Sequence, residues 1–249
     1  MIRNLLLISN STNAGEEYLA WPRPCIQDFL AGFGVHKVLF IPYAGVNLTS
    51  ASVEKSFDLY EERVKKIFKE MGFSLHSIHR ESNPVNAVNE AESIVIGGGN
   101  TYHLALMIQE FGIMEAIRRK ILRGIPYVGW SAGANVACPT MKTTNDMPIC
   151  EPPSFNCLKL IPFQINPHYM DANPAGHAGE TREQRIMEFL TVNRETTVAG
   201  LREGCLLRVD GDSLKLVGNR PLRIFRFGKD PEEYTQDENL DFLLKITAG

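Results

Sequence analysis

Tyr127-Val128-Gly129-Trp130-Ser131-Ala132-Gly133 is the stretch that decides the fold. It sets a G-x-S-x-G signature right after the apolar run Tyr127–Trp130 and right before the short helical stretch Ala132–Ala137. A sharp strand-to-helix turn of this kind lifts a serine hydroxyl above a sheet, and small flanking residues let the backbone bend that tightly. The N–H groups of Ala132 and Gly133 then stand at a helix N-terminus, where a developing oxyanion is welcome. The bland alternative is a plain glycine-rich turn. The strand before it and the helix after it favour Ser131 as a nucleophile.

Upstream, short apolar runs alternate with helical patterns. Leu5–Ile8, Val38–Ile41, Ser74–Ile78 and Ser93–Ile96 read as buried strands like Tyr127–Trp130. Between them, Val53–Met71 is stopped by Gly72, Pro84–Ala91 follows Asn83, and Thr101–Arg123 is split by Gly112. Pro at a first helical turn and Gly just past a last one are expected positions. Such alternation predicts a doubly wound, mostly parallel sheet with helices on both faces. After residue 138 the rhythm breaks. Pro139–Pro162 reads as an irregular loop, and a loop of that length is usually functional. A helix returns at about Glu180–Thr191. Antiparallel strands follow at Thr197–Leu201, Cys205–Val209, Leu214–Val217 and Leu222–Phe227, the middle pair joined at Asp210-Gly211-Asp212. They are expected to extend the same sheet within a single α/β domain spanning 1–249.

A second glycine-rich phrase, Gly97-Gly98-Gly99-Asn100-Thr101, follows the strand Ser93–Ile96. Its unshielded backbone N–H groups suit a phosphate or an oxyanion. The phrase is not G-x-G-x-x-G and no P-loop lysine follows, so beside a serine elbow the oxyanion reading is preferred. Gly99 is the expected donor, partnering the N–H of Ala132.

A serine hydroxyl needs a base. Of the six histidines, His36 and His79 flank strands, and His103 sits in the helix after the glycine-rich loop. His168, in Gln164-Ile165-Asn166-Pro167-His168, lies beyond the irregular loop and is held rigidly after Pro167; it is the favoured base. Two acids could orient its imidazole. Asp146 lies in Thr143-Thr144-Asn145-Asp146-Met147-Pro148, and Glu203 follows a strand in Leu201-Arg202-Glu203-Gly204. Asp146 could equally be a turn residue and Glu203 a solvated hairpin acid. The choice leans to Asp146, whose phrase looks built to hold one short carboxylate.

The 249 residues are 44% hydrophobic and 22% charged, with 26 basic against 29 acidic side chains, which excludes a disordered chain and gives no basic run for nucleic acid or an anionic membrane. The apolar run Leu5–Ile8 is far shorter than a signal h-region of about 7–15 residues. No stretch approaches the roughly 20 apolar residues of a membrane span. Five cysteines without a CxxC pair suit reduced thiols, hence a cytoplasmic address and neither disulfide framework nor zinc site.

The phrases GGGNT, GWSAGANVACPT, TTNDMPI, QINPH and GETREQR, over residues 97–187, resemble peptidase E, the α-aspartyl dipeptidase family; LLLISNST and IPYAGV match its usual start. The resemblance implies a fold similar to class I glutamine amidotransferases and an activity on dipeptides with an N-terminal L-aspartate, with no metal or other cofactor. It places the nucleophile at Ser131, the base at His168 and the acid at Asp146 or Glu203. Arg202 is a departure, since the family often has Pro there. Asn100 and Thr101 are expected to contact substrate. Arg182, opening the helix after the His168 loop, is the candidate clamp for the substrate's carboxylate, because a planar guanidinium grips a carboxylate bidentately; the alternative is an ordinary helix-start arginine. The expected partners are small aspartyl peptides, and a homodimer is allowed. Two rivals remain: a hydrolase of β-linked aspartyl peptides like cyanophycinase, and a non-catalytic small-molecule-binding module. A cysteine-dependent amidotransferase is excluded, because the elbow residue is serine.

Overall fold

The structure, a computed structural model, describes residues 2–173, 176 and 178–246. Its first half is built from β1 (Ile2–Ile8), α1 (Arg23–Gly32), β2 (Lys37–Ile41), α2 (Val53–Glu70), β3 (Ser74–Ser77), α3 (Pro84–Glu90), β4 (Ile94–Ile96), α4 (Thr101–Glu110), α5 (Met114–Leu122), β5 (Arg123–Trp130) and α6 (Ala132–Asn135). Helix starts follow local chemistry. Ser52 accepts the Lys55 N–H ahead of α2, Asn83 accepts that of Asn86 ahead of Pro84, and Asn100 accepts that of His103. Gly72, at φ 91°, ends α2 in a left-handed conformation that only glycine adopts cheaply.

The second half comprises β6 (Gln164–Tyr169), α7 (Arg182–Val192), β7 (Thr197–Arg202), β8 (Leu206–Asp210), β9 (Ser213–Val217), β10 (Leu222–Arg226) and β11 (Glu232–Tyr234). The main sheet has the order β3-β2-β4-β5-β1-β8-β9: its first five strands are parallel, and β8 and β9 are added through antiparallel pairings, β8 alone running against the rest. Alternate residues of the strands face opposite cores. Leu5, Leu7, Leu39, Ile41, Ile94 and Ile96 pack with residues of α4 and α5, whereas Leu6, Ile8, Val38, Phe40, Val95 and Val128 pack with residues of α1 and α2. Helices therefore cover both faces, as the alternation of elements predicts.

One expectation is corrected. β7 and β10 do not extend the main sheet; with β6 and β11 they form a second sheet, ordered β11-β10-β7-β6, in which β6 and β7 run parallel. Every residue of β7 is buried. Ala199 and Leu201 join the core under the main sheet, and Val198 packs with Tyr169, Ile186, Leu190 and Phe225 beneath α7. A strand covered on both faces needs a neighbour on each edge, and β6 supplies the edge that the main sheet does not. The hairpin β8–β9 alone extends the main sheet, through β1. Among the described residues no helix is long and apolar enough to cross a membrane, and all five cysteines are unpaired.

Candidate active site

The carboxyl ends of β4, β5 and β1 lie side by side: Ile96 pairs with Gly129, and Ile8 with Trp130. The loops that leave these ends therefore meet at one level, where open α/β sheets form their sites. From β5 the chain turns at once into α6. Ser131 is held at φ 52°, ψ −110°, and its N–H donates to the Ile8 carbonyl at 2.9 Å. A non-glycine residue at positive φ stores strain of about 1–3 kcal/mol, tolerated where the surroundings over-determine it. The flanking glycines make the bend feasible. A Cβ on Gly129 would lie 2.5 Å from the Gly133 carbonyl oxygen, and one on Gly133 2.2 Å from that of Ile96.

The glycine loop leaving β4 packs against this elbow. A Cβ on Gly98 would sit 3.0 Å from the Ser131 Cβ, and one on Gly99, at φ 133°, 2.1 Å from the Ala44 carbonyl oxygen. Among the described residues the N–H groups of Gly99 and Ala132 have no protein acceptor. Two such donors beside a serine hydroxyl are what an oxyanion needs.

His168 reaches the serine from the second sheet. In the β6–β7 ladder Pro167 pairs with Leu201 and Tyr169 with Arg202, so His168 is the extra residue of a bulge. It adopts φ 54°. A bulge re-aims a side chain, and this one points the imidazole at the elbow. His168 Nε2 lies 2.8 Å from Ser131 Oγ and Nδ1 lies 2.6 Å from Glu203 Oε1. With Nδ1–H donating to the carboxylate, Nε2 is the free acceptor for the serine proton. His168 and Glu203 side chains are 37% and 47% exposed, so substrate and water can reach them.

Asp146, the acid favoured from sequence, makes no hydrogen bond to His168. Its Oδ2 accepts the Thr101 N–H at 2.7 Å, the Thr101 hydroxyl at 2.6 Å and the Thr144 hydroxyl at 3.0 Å. A carboxylate bound to the first turn of α4 is stabilised there by the helix N-terminus. Thr101 is thereby occupied with Asp146, and Asn100 donates its side-chain amide to the Met147 carbonyl while capping α4. Both pin the irregular loop to the glycine loop. Arg182 lines a cavity of about 190 Å³ together with Asn145, Asp146 and Asn166. Among the described residues the ion pairs of α7 run through Glu180–Arg185 and Glu183–Arg223 and leave Arg182 out. Burial, then the neighbouring Arg185 charge, lower its pKa, and Asp146 opposes them.

Three positioning residues escaped the sequence reading. Ser9, fully buried, accepts the His168 N–H at 2.9 Å and donates to the Leu201 carbonyl at 2.7 Å. Asn10 accepts the Gly204 N–H, next to Glu203, at 2.8 Å. Asn145 donates to the Pro167 carbonyl and accepts from Asn166. The only signal for the first two was their place at the end of β1, in LLLISNST. Of the two histidines flanking strands, read as surface residues, His36 is exposed, whereas His79 is largely covered and paired with Ser77 and Asp58. His103 bonds the Tyr43 carbonyl. His177 lies outside the described residues.

The model of peptidase family S51 matches residues 5–217. Peptidase E of Nostoc sp. is 48% identical over 245 residues, covering 98% of both chains. Peptidase E of Streptomyces coelicolor is 42% identical over 244 residues, covering 98% of this chain and 96% of its own. The crystal structure of a peptidase from an acI-B1 Actinobacterium superposes with a TM-score of 0.71 at 17% identity, covering 96% of this chain and 97% of that one, which shows a common fold. A serine elbow on a doubly wound sheet and relatives matched over nearly their whole length lead to one conclusion: the chain belongs to peptidase family S51 and is a serine peptidase.

Proposed function

We propose that the protein hydrolyses dipeptides with an N-terminal L-aspartate, with Ser131, His168 and Glu203 as its catalytic triad. The observation that carries this is the unbroken chain of hydrogen bonds from Ser131 Oγ through both imidazole nitrogens to the Glu203 carboxylate. His168 Nε2 takes the hydroxyl proton as Oγ attacks the scissile carbonyl, and the tetrahedral oxyanion is held by the N–H groups of Gly99 and Ala132. The C–N bond then breaks, His168 gives its proton to the leaving amine, and an aspartyl ester remains on Ser131. Water attacks the ester with His168 as base, releasing aspartate and restoring the serine. Glu203 holds the Nδ1–H tautomer and stabilises the imidazolium.

The aspartate side chain brings a carboxylate whose burial is costly unless it is paired. Arg182 is a cation outside the ion pairs of its own helix, in a cavity of about 190 Å³ that reaches Asp146 and so adjoins the glycine loop. It suits that carboxylate. The five unpaired thiols fit a cytoplasmic protein.

The test compares Asp-Leu, β-Asp-Leu, Glu-Leu and Asn-Leu with wild type, Ser131→Ala and Arg182→Met. Asp-Leu should be cleaved best, and Ser131→Ala should lose up to about 10⁶ in kcat while keeping its circular dichroism. Arg182→Met should lose about 10- to 150-fold in kcat/KM on Asp-Leu and little on Asn-Leu. Faster cleavage of β-Asp-Leu would assign the enzyme to β-linked peptides. Equal loss on Asp-Leu and Asn-Leu would make Arg182 structural.

A further inference from the structure

A second arginine lies on another side of the glycine loop. Arg63, on α2, lines a cavity of about 660 Å³ whose wall includes Gly98, Gly99, Asn100 and Ser11. The cavity thus begins at the loop that carries the proposed oxyanion donor. It touches Asp146, which also borders the Arg182 cavity, so the two recesses flank a shared ridge.

Among the described residues the ion pairs of α2 run through Lys55, Asp58, Glu61, Lys65 and Glu70 and leave Arg63 out. Its guanidinium carbon instead stands 5.4 Å from the centroid of the Tyr18 ring. That contact restricts a long side chain without neutralising it. Tyr18 is itself fixed. Tyr60 donates its hydroxyl to the Gly98 carbonyl at 3.0 Å, so the 2.9 Å contact between the two hydroxyls is donated by Tyr18, which in turn accepts from Trp130 Nε1 at 2.9 Å. Trp130 precedes Ser131. The perch of Arg63 is therefore continuous with the elbow and with the glycine loop. Among the described residues Arg63 makes no ion pair with Asp146, whose Oδ2 accepts three hydrogen bonds from Thr101 and Thr144.

A dipeptide Asp-X carries two carboxylates. Once Arg182 is assigned to the aspartate side chain, the C-terminal carboxylate of X still needs a cation, and it lies on the leaving-group side of the scissile bond. We infer that the Arg63 cavity is the leaving-group subsite, in which Arg63 binds the free C-terminal carboxylate and so favours dipeptides over substrates that lack a carboxylate there. This rests on the dipeptidase reading above. The volume also leaves room for large X side chains, so charge rather than size is what the subsite reads.

The experiment measures KM and kcat for Asp-Leu and for Asp-Leu amide, which differ only in that charge, with wild type, Arg63→Met and Arg63→Lys. Wild type should favour the free acid. Arg63→Met should raise KM for Asp-Leu by about tenfold or more and bring acid and amide level, with kcat much less affected. Arg63→Lys should recover part of the discrimination, because charge remains and only the planar fork is lost. Arg63 is exposed, so these variants should fold, which circular dichroism checks. A wild type that cleaves Asp-Leu while Arg63→Met keeps its acid-to-amide ratio overturns this inference alone. A wild type inert on all Asp-X peptides overturns the dipeptidase reading, and this inference with it.

Discussion

Glu203 and Asp146 are the two carboxylates the sequence offers to His168, and their partners differ. Among the described residues Glu203 meets only the imidazole Nδ1, whereas Asp146 is bonded to Thr101 at the start of α4 and to Thr144. In the best-studied triad, exchanging the orienting acid for its amide favours the wrong imidazole tautomer and costs about 10⁴ in kcat. Glu203→Gln should therefore lose at least two decades more kcat than Asp146→Asn, and steady-state kinetics on Asp-Leu decide it; the reverse order would return the role to Asp146. The meeting of Ser131 and His168 was legible in the sequence, because an elbow serine and a histidine after Asn-Pro are local patterns. The acid was not. His168 and Glu203 approach only because β6 pairs with β7, with a bulge at His168, and the sequence reading had assigned β7 to the other sheet. Residues 35 positions apart are brought together by register, which no local pattern encodes.

At the scale of elements, the tight packing of β4, β5 and α6 makes the elbow possible. Gly133 stands where any side chain would strike the Ile96 backbone, its Cβ falling 2.2 Å from the carbonyl oxygen. Backbone cannot swing aside as a flexible side chain can, so Gly133→Ala should cost at least the 1–3 kcal/mol or so typical of overpacking. It should also displace the glycine loop that leaves β4. The expected result is a lowered melting temperature together with severe loss of peptidase activity; a variant as stable and active as wild type would mean that β4 can shift. The strands and helices up to β5 were legible because period and punctuation agree, from Asn83-Pro84 to Gly72. Helix α1 was not singled out. Its N-cap position is Pro22, which offers no side-chain cap, so the start is marked only by Pro24 in the first turn, and Ile26, Phe29 and Leu30 form its buried face. The closely spaced C-terminal strands were legible as strands, but which sheet each joins depends on burial of both faces of β7, a property of the assembled core.

Across the whole molecule, Arg202, next to Glu203, ties together the strands of the second sheet. Its side chain, 5% exposed, donates to Asp171 beyond β6, to Glu233 on β11 at 2.8 Å, and to the Pro221 carbonyl. The Arg202 hydrogen bond is the main reason that Asp171 sits below its ordinary pKa. For Glu233, burial pushes upward and is outweighed by the bonds from Arg202 and Arg223. Carboxylates with depressed folded-state pKa values contribute stability above their unfolded values near 4, and that contribution fades as pH falls through the folded values. Arg202→Met should therefore lower the melting temperature most at neutral pH, with the gap to wild type narrowing below about pH 4; a gap independent of pH would mean that only packing was lost. The tryptophans add a different asset. The chain has two tryptophans, and both are wired to the catalytic loops: Trp130 precedes Ser131 and bonds Tyr18, while Trp21 bonds the carbonyl of Asn10, whose side chain holds the Gly204 amide. The protein thus carries its own optical probes. Phosphonylating Ser131 with a small fluorophosphonate should shift the intrinsic emission of wild type and leave that of Ser131→Ala still, giving occupancy of the serine in real time without a chromogenic substrate.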